Sequence, residues 1–123
     1  MSIHSPSEQI IDVVSSWPGI TTAHGSRGEL SFRLGRREIG HLHGDAAAHF
    51  SFPRHVWVAL YKQGRIEPHP TFVDLVGPAA RRIEAESDVQ AVIDLLRLNY
   101  ERLTTLAGGR SIAAPTSSPS FGG

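Results

Sequence analysis

Two runs of alternating apolar and polar residues flank the dipeptide Gly35-Arg36. Leu30-Ser31-Phe32-Arg33-Leu34 precedes it, and Arg37-Glu38-Ile39-Gly40-His41-Leu42-His43 follows. Alternation is the period of a half-buried strand, and a two-residue loop that opens on glycine suits a type II′ hairpin turn. The turn also predicts a register. Leu34 faces Arg37, Arg33 faces Glu38 as a cross-strand ion pair, Phe32 faces Ile39, and Leu30 faces His41. In that register His41 and His43 share the buried face with Leu30, Phe32 and Ile39.

The flanking segments supply helices and further strands. Ser5-Pro6-Ser7-Glu8 is a capping box with proline at the first helical position, and Ile10, Ile11, Val13, Val14 and Trp17 follow as an apolar stripe. This predicts a helix from Pro6 to about Ser16, stopped by Trp17-Pro18-Gly19. Residues 20–24 read as a short extended segment. Gly44-Asp45 marks a turn before a further strand over 46–51. Pro53 opens a middle helix to about Gln63 with Gly64 as its stop, burying Val56, Trp57 and Leu60. The prolines of Pro68-His69-Pro70 keep the exit extended. Residues 71–76 and 80–84 read as two more strands. Ser87-Asp88-Val89-Gln90 reads as a second capping box, opening the longest helix, Asp88 to about Ala107. Helices at both ends and in the middle, around antiparallel strands, make an α+β fold rather than a doubly wound parallel sheet. The expected organisation is one domain over 1–107 and a disordered tail over 108–123, rich in Ser, Pro and Gly.

The chain has 123 residues, enough for one core, and equal numbers of acidic and basic side chains. Charge is uneven: between His24 and Ile83 there are nine basic and five acidic residues. That mild excess reads as a solvated face before it reads as a binding surface. The absence of cysteine excludes disulfides, thiolate nucleophiles and Cys-ligated zinc. MSIHSPSEQ lacks a basic region followed by an apolar run, and no run is long enough to span a bilayer, so a cytoplasmic setting without membrane contact is expected.

Three blocks carry a family resemblance. They are Phe32 to Asp45, then Phe52-Pro53-Arg54 with Gly64-Arg65-Ile66-Glu67-Pro68-His69, then Leu95 to Leu103. In order and spacing they resemble small bacterial proteins of the luciferase-domain family. That name alone does not imply light emission. Such proteins usually carry an Asp-Ser-Gly-Trp-like segment after the second block. Here Val73-Asp74-Leu75-Val76-Gly77-Pro78-Ala79 stands there, with Asp74 and Gly77 matching and the tryptophan absent. A ligand site lined by that aromatic in relatives is then altered or lost. The element order is also similar, more loosely, to the MmcQ/YjbR-like double-wing proteins, which implies DNA binding as an alternative.

Five of the seven histidines, His41, His43, His49, His55 and His69, fall between Arg37 and His69. His41 and His43, two apart on a strand, share a face. The principal reading is a non-catalytic domain whose histidine-lined pocket takes a small molecule or a protein partner, with His41, His43, Asp45, Arg65, His69 and Asp74 as ligand-binding residues. The alternative chemistry is a metal-dependent hydrolase in which His41, His43 and His69 bind zinc, with Asp45 as a further ligand. Beside these stand bland roles: rim histidines of the core, a turn-stabilising Asp45 and a solvated Arg65. Arg33, Arg36, Arg37, Arg54, Arg81 and Arg82 are candidates for phosphate contact, but no aromatics interleave them as single-strand binding requires, and nucleic acid is not the favoured partner. No Gly-x-Ser-x-Gly elbow and no phosphate-binding glycine loop is present, so a serine nucleophile has no support, and the sequence leaves catalytic residues and cofactor open.

Overall fold

The computed structural model describes residues 4–110, with side chains as far as Leu106. The element order is α1 (Pro6–Val14), β1 (Ile20–His24), β2 (Leu30–Leu34), β3 (Arg37–His43), β4 (Ala47–Ser51), α2 (Arg54–Lys62), β5 (Glu67–Pro68), β6 (Pro78–Arg82) and α3 (Glu86–Arg110). The six strands form one antiparallel sheet in the order β1-β2-β3-β4-β6-β5. The fold is α+β, as the sequence pattern predicts. No described helix is long and apolar enough to cross a membrane.

The capping box at Ser5 forms in full: Glu8 N donates to Ser5 Oγ at 3.2 Å and Ser5 N donates to Glu8 Oε1 at 2.9 Å. Helix α1 buries Ile10 and Val14 and packs on α3. Helix α3 contributes Val89, Val92, Leu95, Leu96 and Leu103 to a core that also takes Phe32, Leu42, Ala48 and Phe50 from one face of the sheet. Helix α2 lies beside α3, where Val56 and Leu98 line a shared cleft. The second capping box differs from expectation. Ser87 lies inside the helix, and Asp88 reaches back instead, accepting from the amides of Glu84 (2.8 Å) and Ala85 (2.9 Å) and from Arg81 (2.7 Å). Asp88 thereby ties the two residues before the helix to its first turn, the reach-back half of a capping box. Helix α3 continues to Arg110, through the Gly108-Gly109 pair expected to end it. The tail over 111–123 lies outside the described residues.

The hairpin turn is as expected, with Gly35 at φ +64° and pairs Leu34↔Arg37 and Arg33↔Glu38. The register then departs from expectation. Phe32 pairs with Gly40, Ser31 with His41 and Leu30 with Leu42, so Ile39 is an extra residue on β3. A bulge of this kind shifts every following side chain to the other face. Phe32, Leu42 and Ile39 are all buried, but His41 and His43 leave the core face and join Ser31 on the opposite one. The expected Arg33–Glu38 ion pair also yields: Glu38 Oε2 lies 2.7 Å from His41 Nδ1 instead.

Two devices fix the bulge. A Cβ built on Gly40 would lie 2.6 Å from Leu96 Cδ2 and 3.1 Å from the His49 carbonyl, so only glycine lets β3 lie this close to α3. Asn99, 1 % exposed, donates from Nδ2 to the Ile39 carbonyl and to the Ser51 carbonyl, both at 3.1 Å. Its Oδ1 accepts from Arg102 at 3.1 and 3.2 Å. The bulged backbone therefore finds its partner on α3.

Candidate functional site

The sheet face away from the core carries four imidazoles. The β3–β4 register sets His41 directly opposite His49 and His43 opposite Ala47. His49 in turn pairs with Ala80 on β6, and Ala80 with Glu67 on β5, so His69 follows on the same face two residues later. The rings form a contiguous group. Centroid separations are 4.9 Å for His41–His43, 5.3 Å for His41–His49, 4.2 Å for His43–His49 and 4.2 Å for His49–His69. His69 also packs against Phe72, at 5.1 Å.

Each ring has a different electrostatic setting. His41 is held by Glu38 at 2.7 Å. A carboxylate only accepts, so the His41 Nδ1 carries the proton and a neutral ring keeps its lone pair on Nε2. The same contact holds the Glu38 carboxyl below the usual range. His49 is 9 % exposed, and its Nδ1 is buried with no hydrogen-bond partner; His43 Nε2 is buried in the same condition. Burial, and then the neighbouring His43, His69 and His41, pushes His49 down to about 4. Burial also lowers His43 and His69, with His41 acting in the same direction on both. His49 is therefore neutral at pH 7, and His43 and His69 are shifted towards the neutral form, in which imidazole donates a lone pair to a metal.

One nitrogen from each of His41, His43 and His49 can be chosen so that all three lie within 4.8 Å of one another. Tetrahedral coordination at the usual Zn–N distance needs ligand nitrogens ~3.3 Å apart. His41 and His43 are only partly buried, so their rings are not locked by packing on every side. Three imidazoles without a carboxylate or thiolate suit zinc, copper, iron or nickel and disfavour magnesium and calcium. A centre of three histidines leaves a coordination position for a water or substrate oxygen, which the ion polarises.

The other residues singled out in the sequence lie elsewhere. Asp45 accepts from the Ser7 amide at 2.8 Å, tying the turn after β3 to α1, and Ser7 holds its carboxyl below the usual range. Arg65 lines a cleft of about 210 Å³ with Glu67, Arg81, Arg82 and Asp88. Asp74 is exposed in the segment 71–76, which forms turns rather than the expected strand. There Phe72, Val73, Leu75 and Val76 are all exposed, and the segment pairs with no strand among the described residues. Of the arginines considered for phosphate contact, Arg81 is paired with Asp88 and Arg82 with Glu67 and Glu84. His49 is the residue that sequence reasoning missed. The signal was present: a three-residue turn over 44–46 sets His43 opposite Ala47, and counting along both strands brings His41 to His49.

The family model for the luciferase domain matches residues 36–99, a little over half of the chain. The chain belongs to the luciferase-domain family. The matched region runs from the β2–β3 turn into α3 and contains all four clustered histidines, Glu38 and Asn99. No curated protein and no solved structure matches the chain significantly. The luciferase-domain match thus spans both the histidine face and the helix that braces it from behind.

Proposed function

We propose that this luciferase-domain protein is a metal-dependent small-ligand-binding domain. In this reading His41, His43 and His49 hold one transition-metal ion, and the ion's remaining position takes an oxygen atom of a small polar ligand or water. Glu38 orients His41 as a ligand-holding carboxylate does in histidine metal sites.

The observation that carries the reading is the pair of buried, unpartnered ring nitrogens, His43 Nε2 and His49 Nδ1, in rings 4.2 Å apart. A buried polar atom without a partner costs about 1–3 kcal/mol. Two of them side by side, next to a third ring whose tautomer is set by Glu38, are accounted for by one ion that accepts all three lone pairs. A metal-free pocket would satisfy them instead through a bound water, a polar ligand, or one ring donating its N–H to the other.

Zinc titrated calorimetrically into chelator-stripped protein tests the proposal. The expected result is one equivalent bound with a dissociation constant below about 1 µM. Failure to take up stoichiometric zinc, cobalt or copper would leave the metal-free pocket as the better reading.

A further inference from the structure

His69 stands against the three-histidine group without joining the set of converging nitrogens. Its own hydrogen bond explains why. The Thr71 amide donates to His69 Nδ1 at 3.1 Å. An amide N–H can only donate, so Nδ1 is the lone-pair nitrogen and a neutral ring carries its proton on Nε2. This is the reverse of His41, whose Nδ1 faces the Glu38 carboxylate. The two rings are therefore prepared for opposite tasks. His41 presents a lone pair, and His69 presents an N–H.

Resting on the metal centre proposed above, we infer that His69 is a hydrogen-bond donor to the oxygen ligand on the ion and not a fourth metal ligand. The ligand class follows from the chemistry. A carboxylate or comparable oxyanion places one oxygen on the metal and the second on the His69 Nε2–H. Phe72 packs 5.1 Å from the His69 ring. Although partly exposed itself, it covers part of the His69 ring with apolar surface. The turn that carries Thr71 and Phe72 thus sets both the tautomer of His69 and its surroundings. His69 is a positioning residue for the bound anion.

The test uses the full chain loaded with cobalt(II), whose visible spectrum reports both metal uptake and anion binding. Acetate and iodide are the probes: both can coordinate the ion, but only acetate offers a second, hydrogen-bond-accepting oxygen. His69→Ala is expected to take up one equivalent of cobalt with unchanged affinity, to bind iodide as the wild type does, and to bind acetate at least about tenfold more weakly. His69→Gln, which returns an N–H at similar reach, should recover part of the acetate affinity. A loss of cobalt affinity in His69→Ala as large as that in His49→Ala would make His69 a ligand and overturn the inference while leaving the metal centre standing. Equal acetate affinity in wild type and His69→Ala would overturn it too. No cobalt uptake by the wild type would remove the metal centre and this inference together.

Discussion

His49→Leu should lose zinc and gain resistance to acid. The ring is central to the group, within 5.3 Å of His41 and 4.2 Å of both His43 and His69. Without it two histidines remain on β3, and zinc affinity should fall at least about 100-fold, the loss expected when one of three ligands is removed. Stability should move the other way. The folded protein holds His49 at about 4, whereas an unfolded chain titrates it near ~6.5. Between those values the unfolded chain binds the proton and the folded one does not. The His49 contribution to the stability of metal-free wild type should therefore shrink by roughly 3 kcal/mol as the pH falls from ~6.5 towards ~4 and change no further below. His43 and His69, also lowered, add to the same slope, while Glu38, lowered by His41, adds loss at still lower pH. Leucine at 49 removes the largest part of the slope and the orphaned Nδ1 as well. Thermal melts of metal-free wild type and variant from pH 4 to 8 give the comparison. A variant less stable than the wild type across the whole range would show that the imidazole is there for packing.

Asn99→Leu should cost roughly 2–4 kcal/mol, because it takes the donor from the buried Ile39 carbonyl and from the partly buried Ser51 carbonyl. The consequence reaches the far side of the sheet. The Ile39 bulge is what turns His41 and His43 from the core face to the histidine face. A variant that relaxes the bulge should bind zinc more weakly although residue 99 lies on α3, behind the sheet. Denaturant unfolding and zinc titration on the same preparation check both halves. A loss under ~1 kcal/mol with zinc affinity unchanged would mean that the bulge holds itself in place through Gly40 alone.

The bulge is also where the sequence was hardest to read. Capping at Ser5, the Gly35-Arg36 turn and the glycine stop at Gly64 are local matters of side chain and φ angle, and each is legible from neighbouring residues. The register beyond Glu38 is not local. It is set by α3, sixty residues away, through the approach of Leu96 to Gly40 and the bond from Asn99 to Ile39. Unbroken alternation through β3 places His41 opposite Leu30, and the structure places it opposite Ser31. A glycine inside a strand pattern is a known sign of a bulge or of close backbone approach, and Gly40 is both. Within β3 the pairing of His41 with His43 survives the shift, because residues two apart keep a common face whichever face it is. His69 was legible only as a histidine on an extended exit. Its place beside His49 depends on β5 pairing with β6 and on the small Ala80 between them. The segment 71–76 misled for the opposite reason: its residues suit a strand, but among the described residues it forms turns and joins no strand of the sheet.

X-ray absorption at the zinc edge, on protein loaded with one equivalent of zinc, tests the central claim most directly. Three imidazole nitrogens at ~2.0–2.1 Å with one further light oxygen or nitrogen donor is the result expected of His41, His43 and His49. A first shell of oxygen atoms alone, without imidazole scattering, would place the zinc elsewhere on the protein and contradict the account.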